Sequence, residues 1–420
     1  MVESCANLPP SAHLRRAVNL FAAWLEENGY SSYDPYDVWG TRYGRFARRF
    51  YYRKSVFGLP LIAPVVAAEV LCPQWRSIFV RKQRYATADA QLLLAFANLF
   101  QLTGDQNHIQ KAAGLAADLL AYSIPGYNGH CWGYPFDWQH HRGLWKKNTP
   151  FITATPYCFE AFLRLFDLTG EERYFNTAKS IAQFVQNDLR DTPTSADAAA
   201  GSYSPLDNSQ VVNASAYRAM VLFEAAGRFA RPDYRRSATL NLNFILQSQR
   251  ADGAWLYAMD EPAEQFIDHF HTCFVLKNLW KLNRSLKSPA VTEAIRRGFA
   301  YYHGALFDSA GLPKPFVINP RRQIVRLEMY DFAEAISLGV LLRHDLPEAF
   351  PMAQRLARLV TDQFQLSPGC FVTRVYRGGR FHKLPFLRWP QAQLFLALTN
   401  MLMAEPSLSA AAPACCATKN

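Results

Sequence analysis

One stretch of this chain occurs twice in altered form. Residues 90–120, AQLLLAFANLFQLTGDQNHIQKAAGLAADLL, and residues 155–185, TPYCFEAFLRLFDLTGEERYFNTAKSIAQFV, follow the same plan. Each reads as an apolar helix, then Leu-Thr-Gly with an acidic residue, then a second, amphipathic helix. Gly104 and Gly170 suit the left-handed position that ends a helix. Asp105 and Glu171 set negative charge at the N-terminus of the next helix, where its dipole favours it. An αα-hairpin of this kind cannot bury its apolar face alone and must stack on copies of itself.

The two-helix rhythm continues with weaker turns: 210–229 with 233–249, 266–282 with 289–303, and 330–343 with 346–364. A helix at 389–403 is left without a successor, and one at 12–28 without a predecessor. Pairing those two closes a ring. The first member of each pair is apolar nearly all round, as in LLLAFANLF and CFVLKNLW, which marks it as the inner layer. The expected fold is therefore all-α, an (α/α)6 toroid of about six helical hairpins. Half of the 420 residues are hydrophobic, ample for a large core, and no shift in composition marks a linker. We expect one domain over residues 1–404, with 30–60 as a lid-like loop and 405–420 as a disordered tail.

The links from outer to inner helices are long: 126–150, 201–209, 252–262, 311–331 and 369–389. Links of one type lie at one end of a ring, and long loops in compact domains usually serve function. They carry the unusual chemistry. DGAWLYAMDEPAEQFIDHFHTCFVL sets Trp255, a candidate for stacking on a sugar, and Tyr257 on a loop, then Asp268 and His271 at the entry to an inner helix. Three residues apart, Asp268 and His271 share a helical face, and a neighbouring carboxylate sets the tautomer and raises the basicity of an imidazole, as a general base requires. The structural alternative is that Asp268 caps the helix and His271 is a core residue. RLEMYDFAEAI offers Arg326, Glu328, Tyr330 and Asp331; WGYPFDWQ offers Trp132, Tyr134 and Asp137 for stacking and binding a sugar; SYDPYDVWG contributes Tyr36.

Net charge is +11, and the basic residues cluster. Arg42, Arg45, Arg48, Arg49, Arg53 and Lys54 form one group; Arg374, Arg377, Arg380, Lys383 and Arg388 form another; Arg321, Arg322 and Arg326 precede an inner helix. Gathered at one mouth, such groups steer a polyanion, and arginine pairs bidentately with carboxylates such as those of a uronate chain. Basic residues in irregular loops match no nucleic-acid-binding module, so nucleic acid is not an expected partner. No metal is expected, since His140 and His141 are adjacent and neither HxxxH nor CxxC occurs. No cofactor is expected either, in the absence of a phosphate-binding glycine loop.

Eight scattered cysteines point to a reducing compartment, and MVESCANLPPSAHLRR lacks the pattern of a signal peptide. The longest apolar run, Leu59 to Cys72, is interrupted by prolines and too short to span a bilayer. These features lead us to expect a cytoplasmic protein without a membrane span.

The repeated hairpins, the loop GAWLY and the segment DHFHTCFVL resemble polysaccharide biosynthesis proteins of bacterial exopolysaccharide clusters, which are similar in turn to the (α/α)6 toroid domain of glucuronyl C5-epimerases. Asp268, Phe270, His271, Thr272 and Phe274 carry the match, while Cys273 stands where a small residue is usual. QSQRADGAW also resembles the Gln-Trp repeats of terpenoid cyclases, without an aspartate-rich cyclase motif. The first resemblance implies action on an acidic polysaccharide, by proton abstraction at the uronate C5 in an epimerase or a lyase, with possible partners in a polysaccharide-synthesis complex. Two alternatives stay open: a glycoside hydrolase with paired carboxylates, and a non-catalytic glycan-binding subunit.

Overall fold

A computed structural model describes residues 10–319 and 323–405. Six inner helices form a closed ring: α4 (Ala86–Thr103), α6 (Thr155–Thr169), α8 (Val212–Arg228), α10 (His269–Leu286), α12 (Met329–Leu341) and α14 (Ala392–Ala404), with α14 packed back on α4. Outside them lie α5 (Gln106–Ala121), α7 (Glu172–Asn187), α9 (Tyr234–Gln247), α11 (Pro289–Ala305) and α13 (Ala349–Leu359). The sixth outer helix is α1 (Pro10–Asn28), which packs on α14 and α13. This is the expected (α/α)6 toroid, closed between the first and last helices. Where α1 meets the end of α13, Gln365 donates to the Ala17 carbonyl at 2.8 Å, and His13 pairs with Asp362 at 2.8 Å.

Local sequence explains the hairpins. Gly104 and Gly170 adopt φ of +72° and +71°, each donating its N–H to a carbonyl four residues back, and so end α4 and α6 in the left-handed conformation that glycine tolerates best. The inner helices are buried on nearly every face, whereas the outer ones bury one stripe; α7 buries Tyr174, Thr177, Ala178, Ile181 and Val185 and turns its polar side outward.

All the outer-to-inner links emerge at one end of the ring, and several fold into short antiparallel pairs. Trp138–His140 pairs with Gly143–Trp145, and Ile267–Asp268 pairs with Phe316–Ile318. Val325–Glu328, Arg374–Tyr376 and Phe381–His382 form a three-stranded sheet. Gly253 fixes one link against the next outer helix: its φ is +93°, and a Cβ there would lie 2.4 Å from the Arg297 carbonyl oxygen.

Segment 30–60 differs from the expected loop. It carries helix α2 (Arg42–Tyr52) and the start of α3 (Gly58–Leu71), an additional helical hairpin beside the loop end of the toroid. The prolines that interrupt the apolar run 59–72 are accommodated: Pro60 falls in the first turn of α3, where no intrahelical N–H donor is needed, and Pro64 lies within the helix. Thr41 starts α2 by accepting the Gly44 N–H at 3.0 Å. No helix among the described residues is long and apolar enough to cross a membrane. The expected tail at 405–420, apart from Glu405, and the pair Arg321 and Arg322 lie outside the described residues.

Candidate active site

The links converge on a cleft of about 200 Å³ at the loop end of the ring. Two of them enter it in the same way. Trp132 and Trp255 are buried, and each indole N–H donates at 2.9 Å to a carbonyl of the preceding outer helix, Leu119 for Trp132 and Ile245 for Trp255. Two residues further along each chain segment, Tyr134 and Tyr257 reach the cleft wall. The expectation that Trp132 and Trp255 stack on a sugar is thereby corrected: both are anchors, because a buried indole N–H needs an acceptor and finds one in the helix behind it.

His271 stands in the wall next to Tyr257, with ring centroids 4.5 Å apart, and is flanked by Phe270 and Phe266. Asp268 is at once a cap and a partner. One carboxylate oxygen accepts the His271 backbone N–H at 3.0 Å and the other meets the imidazole Nδ1 at 2.6 Å. The capping alternative and the dyad are thus both present in one side chain. A carboxylate only accepts, so Nδ1 carries the proton and Nε2 is left as the basic nitrogen. Asp268 is almost fully buried, whereas His271 keeps about a fifth of its side chain exposed.

Aromatic rings line much of the remaining wall. Trp138 and Trp145 face each other across the 138–145 hairpin, 5.4 Å apart, and Trp145 stacks on Tyr203 with ring planes 17° apart. Three arginines join them. Arg388 is held by Asp34 in a two-point clamp at 2.5 and 2.8 Å, with its guanidinium over Tyr134 and Tyr36. Burial disfavours the Arg388 cation, but Asp34 together with Tyr134 and Tyr36 outweighs it, and the pKa is raised. Arg142 bonds Asp260 at 2.7 and 2.8 Å and Glu264 at 2.9 Å. Arg48, from α2, lies over Tyr36, Trp39 and Tyr52. Burial, with Arg142 close by, pushes His140 down to about 4, so it is a neutral imidazole near pH 7, and its Nε2 is buried without a hydrogen-bond partner.

Of the residues singled out from sequence, Tyr36, Tyr134, Tyr257, His271 and Arg388 line this cleft, and Asp268 stands directly behind His271. Tyr330, Glu328 and Asp331 do not line it. Tyr330 lies beneath Trp389, stacked at 3.9 Å, and edge-on to Phe270, so these two rings roof it over. Glu328 pairs with Arg374 at 3.1 Å, and burial, only partly offset by Arg374, pushes it up to about 7. Asp331 is enclosed with neither carboxyl oxygen hydrogen-bonded; burial and the nearby Glu328 and Asp268 carboxylates raise its pKa well above the usual range. Asp137 is occupied in pinning the loop, accepting from Arg45 and from the Lys147 N–H at 2.8 Å each. Arg326 is exposed and off the cleft wall.

Sequence reasoning missed Arg142, Glu264, Trp145 and Tyr203, and it placed Arg48 only in a general basic group. A usable signal lay in WQHHRGLW: two tryptophans seven apart around a Gly-containing turn fall opposite each other in a hairpin.

No family model matches the chain, and no curated protein matches it in sequence. Solved structures do match in fold. An unsaturated glucuronyl hydrolase from a Bacillus species, responsible for the degradation of glycosaminoglycan, superposes with a TM-score of 0.61 at 11% identity, over 94% of this chain and 96% of that one. A possible member of the GH105 family from Salmonella enterica gives a TM-score of 0.60 at 13% identity, over 96% and 97%. Cellobiose 2-epimerase from Bacillus thermoamylovorans gives 0.59 at 11% identity, over 76% and 88%. At such identities the likeness establishes the toroid and leaves the chemistry to be argued from the cleft.

Proposed function

We propose that this protein is a carbohydrate-active enzyme that removes the C5 proton of a uronate residue in an acidic glycan, as an epimerase or a lyase. The observation that carries this reading is His271, with Asp268 on its Nδ1 side, standing in a cleft walled by aromatic rings and by Arg48, Arg142 and Arg388. The sugar ring stacks on the Trp138–Trp145 wall, and its carboxylate pairs with the cleft arginines, Arg388 foremost. His271 Nε2 takes the proton from C5, and the negative charge that spreads into the carboxylate is met by the Arg388 guanidinium. The tyrosine hydroxyls serve as acids: burial raises the pKa of Tyr36 and Tyr257, so both hold their protons near neutral pH. Return of a proton to the opposite face inverts C5; loss of the C4 substituent instead leaves an unsaturated uronate.

The names of structures sharing this fold, epimerases and glucuronyl hydrolases, agree with a sugar substrate. The resemblance of DHFHTCFVL supports a role in the building of a bacterial exopolysaccharide, which we propose takes place in the cytoplasm and alongside other proteins of polymer synthesis. Two-carboxylate hydrolysis has weaker support: among the described residues that line the cleft, Glu264 is the one carboxylate, and Arg142 holds it.

The test is incubation in heavy water with a panel of uronate-containing polymers, read by NMR. Deuterium at C5, or an unsaturated uronate end, is the expected result. New reducing ends without deuterium would replace this reading with hydrolysis. Binding without either change would leave a glycan-binding subunit.

A further inference from the structure

Exposed large apolar side chains are concentrated on and beside the α2–α3 hairpin. At its tip Val56 is 82% exposed, Phe57 63% and Leu59 62%; on the adjoining turn at 73–78 and just after it, Ile78 is 76% and Phe79 63% exposed. Helix α3 shows why. Its inner side is fixed by Glu69, which accepts from Arg76 and meets His382 at 2.8 Å. Its outer side repeats every four residues as Leu59, Ala63, Ala67 and Leu71, all exposed and all apolar. A helix alone in water would carry polar residues there.

The charge around this face has one sign. Arg42, Arg49, Arg53, Lys54, Arg81 and Lys82 are exposed, and Glu69, turned inward, is the only acid between residues 42 and 82. Arg53 and Lys54 directly precede the apolar tip. An apolar ridge rimmed by cations fits the interface of an anionic bilayer, where rings and aliphatic chains enter the acyl boundary and basic groups meet the headgroups. At 14 residues α3 is too short to span a bilayer but long enough to lie on one.

We propose that the α2–α3 hairpin seats this protein on an anionic phospholipid surface. Because α2 also supplies Arg48 and Tyr52 to the cleft wall, a docked molecule holds the cleft beside the membrane. The proposal does not depend on which reaction the cleft performs.

The test is sedimentation of the full chain with vesicles of phosphatidylcholine alone or mixed with phosphatidylglycerol, at low and high salt. Binding is expected to the mixed vesicles, about tenfold stronger than to the neutral ones and weakened by salt. It should be lost in Val56→Asp/Phe57→Asp and reduced in Arg53→Gln/Lys54→Gln, a milder surface change that retains the fold. Leu206→Asp, an exposed apolar position in the link 201–209, serves as the control and should bind normally. Absence of binding to either vesicle, equal binding to both, or equal loss in the control would overturn the proposal. So would a dimer, seen by light scattering, that Val56→Asp/Phe57→Asp dissociates, since the face would then belong to a second copy of the chain.

Discussion

The Asp268 carboxylate holds His271 at two points, accepting its backbone N–H at 3.0 Å and contacting the imidazole Nδ1 at 2.6 Å. A single side chain therefore starts helix α10 and orients the proposed base. Asp268→Asn separates the two duties. The amide can still cap α10, at a cost of no more than about 1 kcal/mol, but it no longer enforces the tautomer that leaves Nε2 basic. Turnover is expected to fall about 100-fold or more with little change in melting temperature, measured side by side on the same preparation.

Arg48→Gln should raise KM for an acidic glycan several-fold while kcat changes little, the pattern of lost binding that is equal in ground and transition states. Its salt dependence should flatten as well, because a partly exposed cation attracts a polyanion most at low ionic strength. Steady-state kinetics at two salt concentrations would check both.

The two kinds of tryptophan should separate cleanly. Trp255→Phe keeps a ring in place but leaves the Ile245 carbonyl without its donor, which costs about 1–3 kcal/mol in denaturant unfolding and leaves glycan affinity intact. Trp138→Ala should weaken glycan binding about tenfold or more through lost stacking, read by calorimetry or fluorescence.

His269 predicts the acid limb of stability. It is fully buried, bonded to Tyr302 at 2.6 Å and facing the Leu306 carbonyl at 3.2 Å, and burial pushes it down from 6.5 to about 3. Below about 6.5 the unfolded chain takes up a proton that the folded one refuses, so this contribution is complete above that pH and is lost as pH falls toward 3. His269→Gln should be less stable than the parent at pH 7, with the gap narrowing between pH 6.5 and 4 in denaturant titrations.

Gly253→Ala meets both a φ of +93° and the Arg297 carbonyl oxygen 2.4 Å from the new Cβ. A loss of about 2 kcal/mol or more is expected, together with loosening of the link that carries Tyr257, visible as faster hydrogen exchange over residues 252–262.

The toroid was legible because its signals are local and repeated: LTGD and LTGE end one helix and begin the next wherever they occur, and LLLAFANLF has no polar face to show to water. Helix α3 was harder. Pro60 and Pro64 interrupt its apolar run, and its exposed apolar face has the composition of a core segment. In the site, His271, Tyr257 and Arg388 stood out by spacing and charge. Trp132 and Trp255 misled because a loop tryptophan reads the same whether its ring faces solvent or the Leu119 and Ile245 carbonyls. Tyr330 misled because nothing in RLEMYD reveals that Trp389, some 60 residues later, stacks over it. Arg142 escaped notice because its partners, Asp260 and Glu264, lie more than 100 residues away.

The closure between α1 and α14 also bears on how the chain is made. Synthesis delivers the first outer helix long before the inner helix it must cover. Until α14 leaves the ribosome, α1 has no groove to occupy, and the apolar flanks of α4 and α12 that α14 will fill face water. A nascent ring is therefore open and adhesive until its final turn is translated, and late synthesis is the stage at which this protein most needs protection from its neighbours.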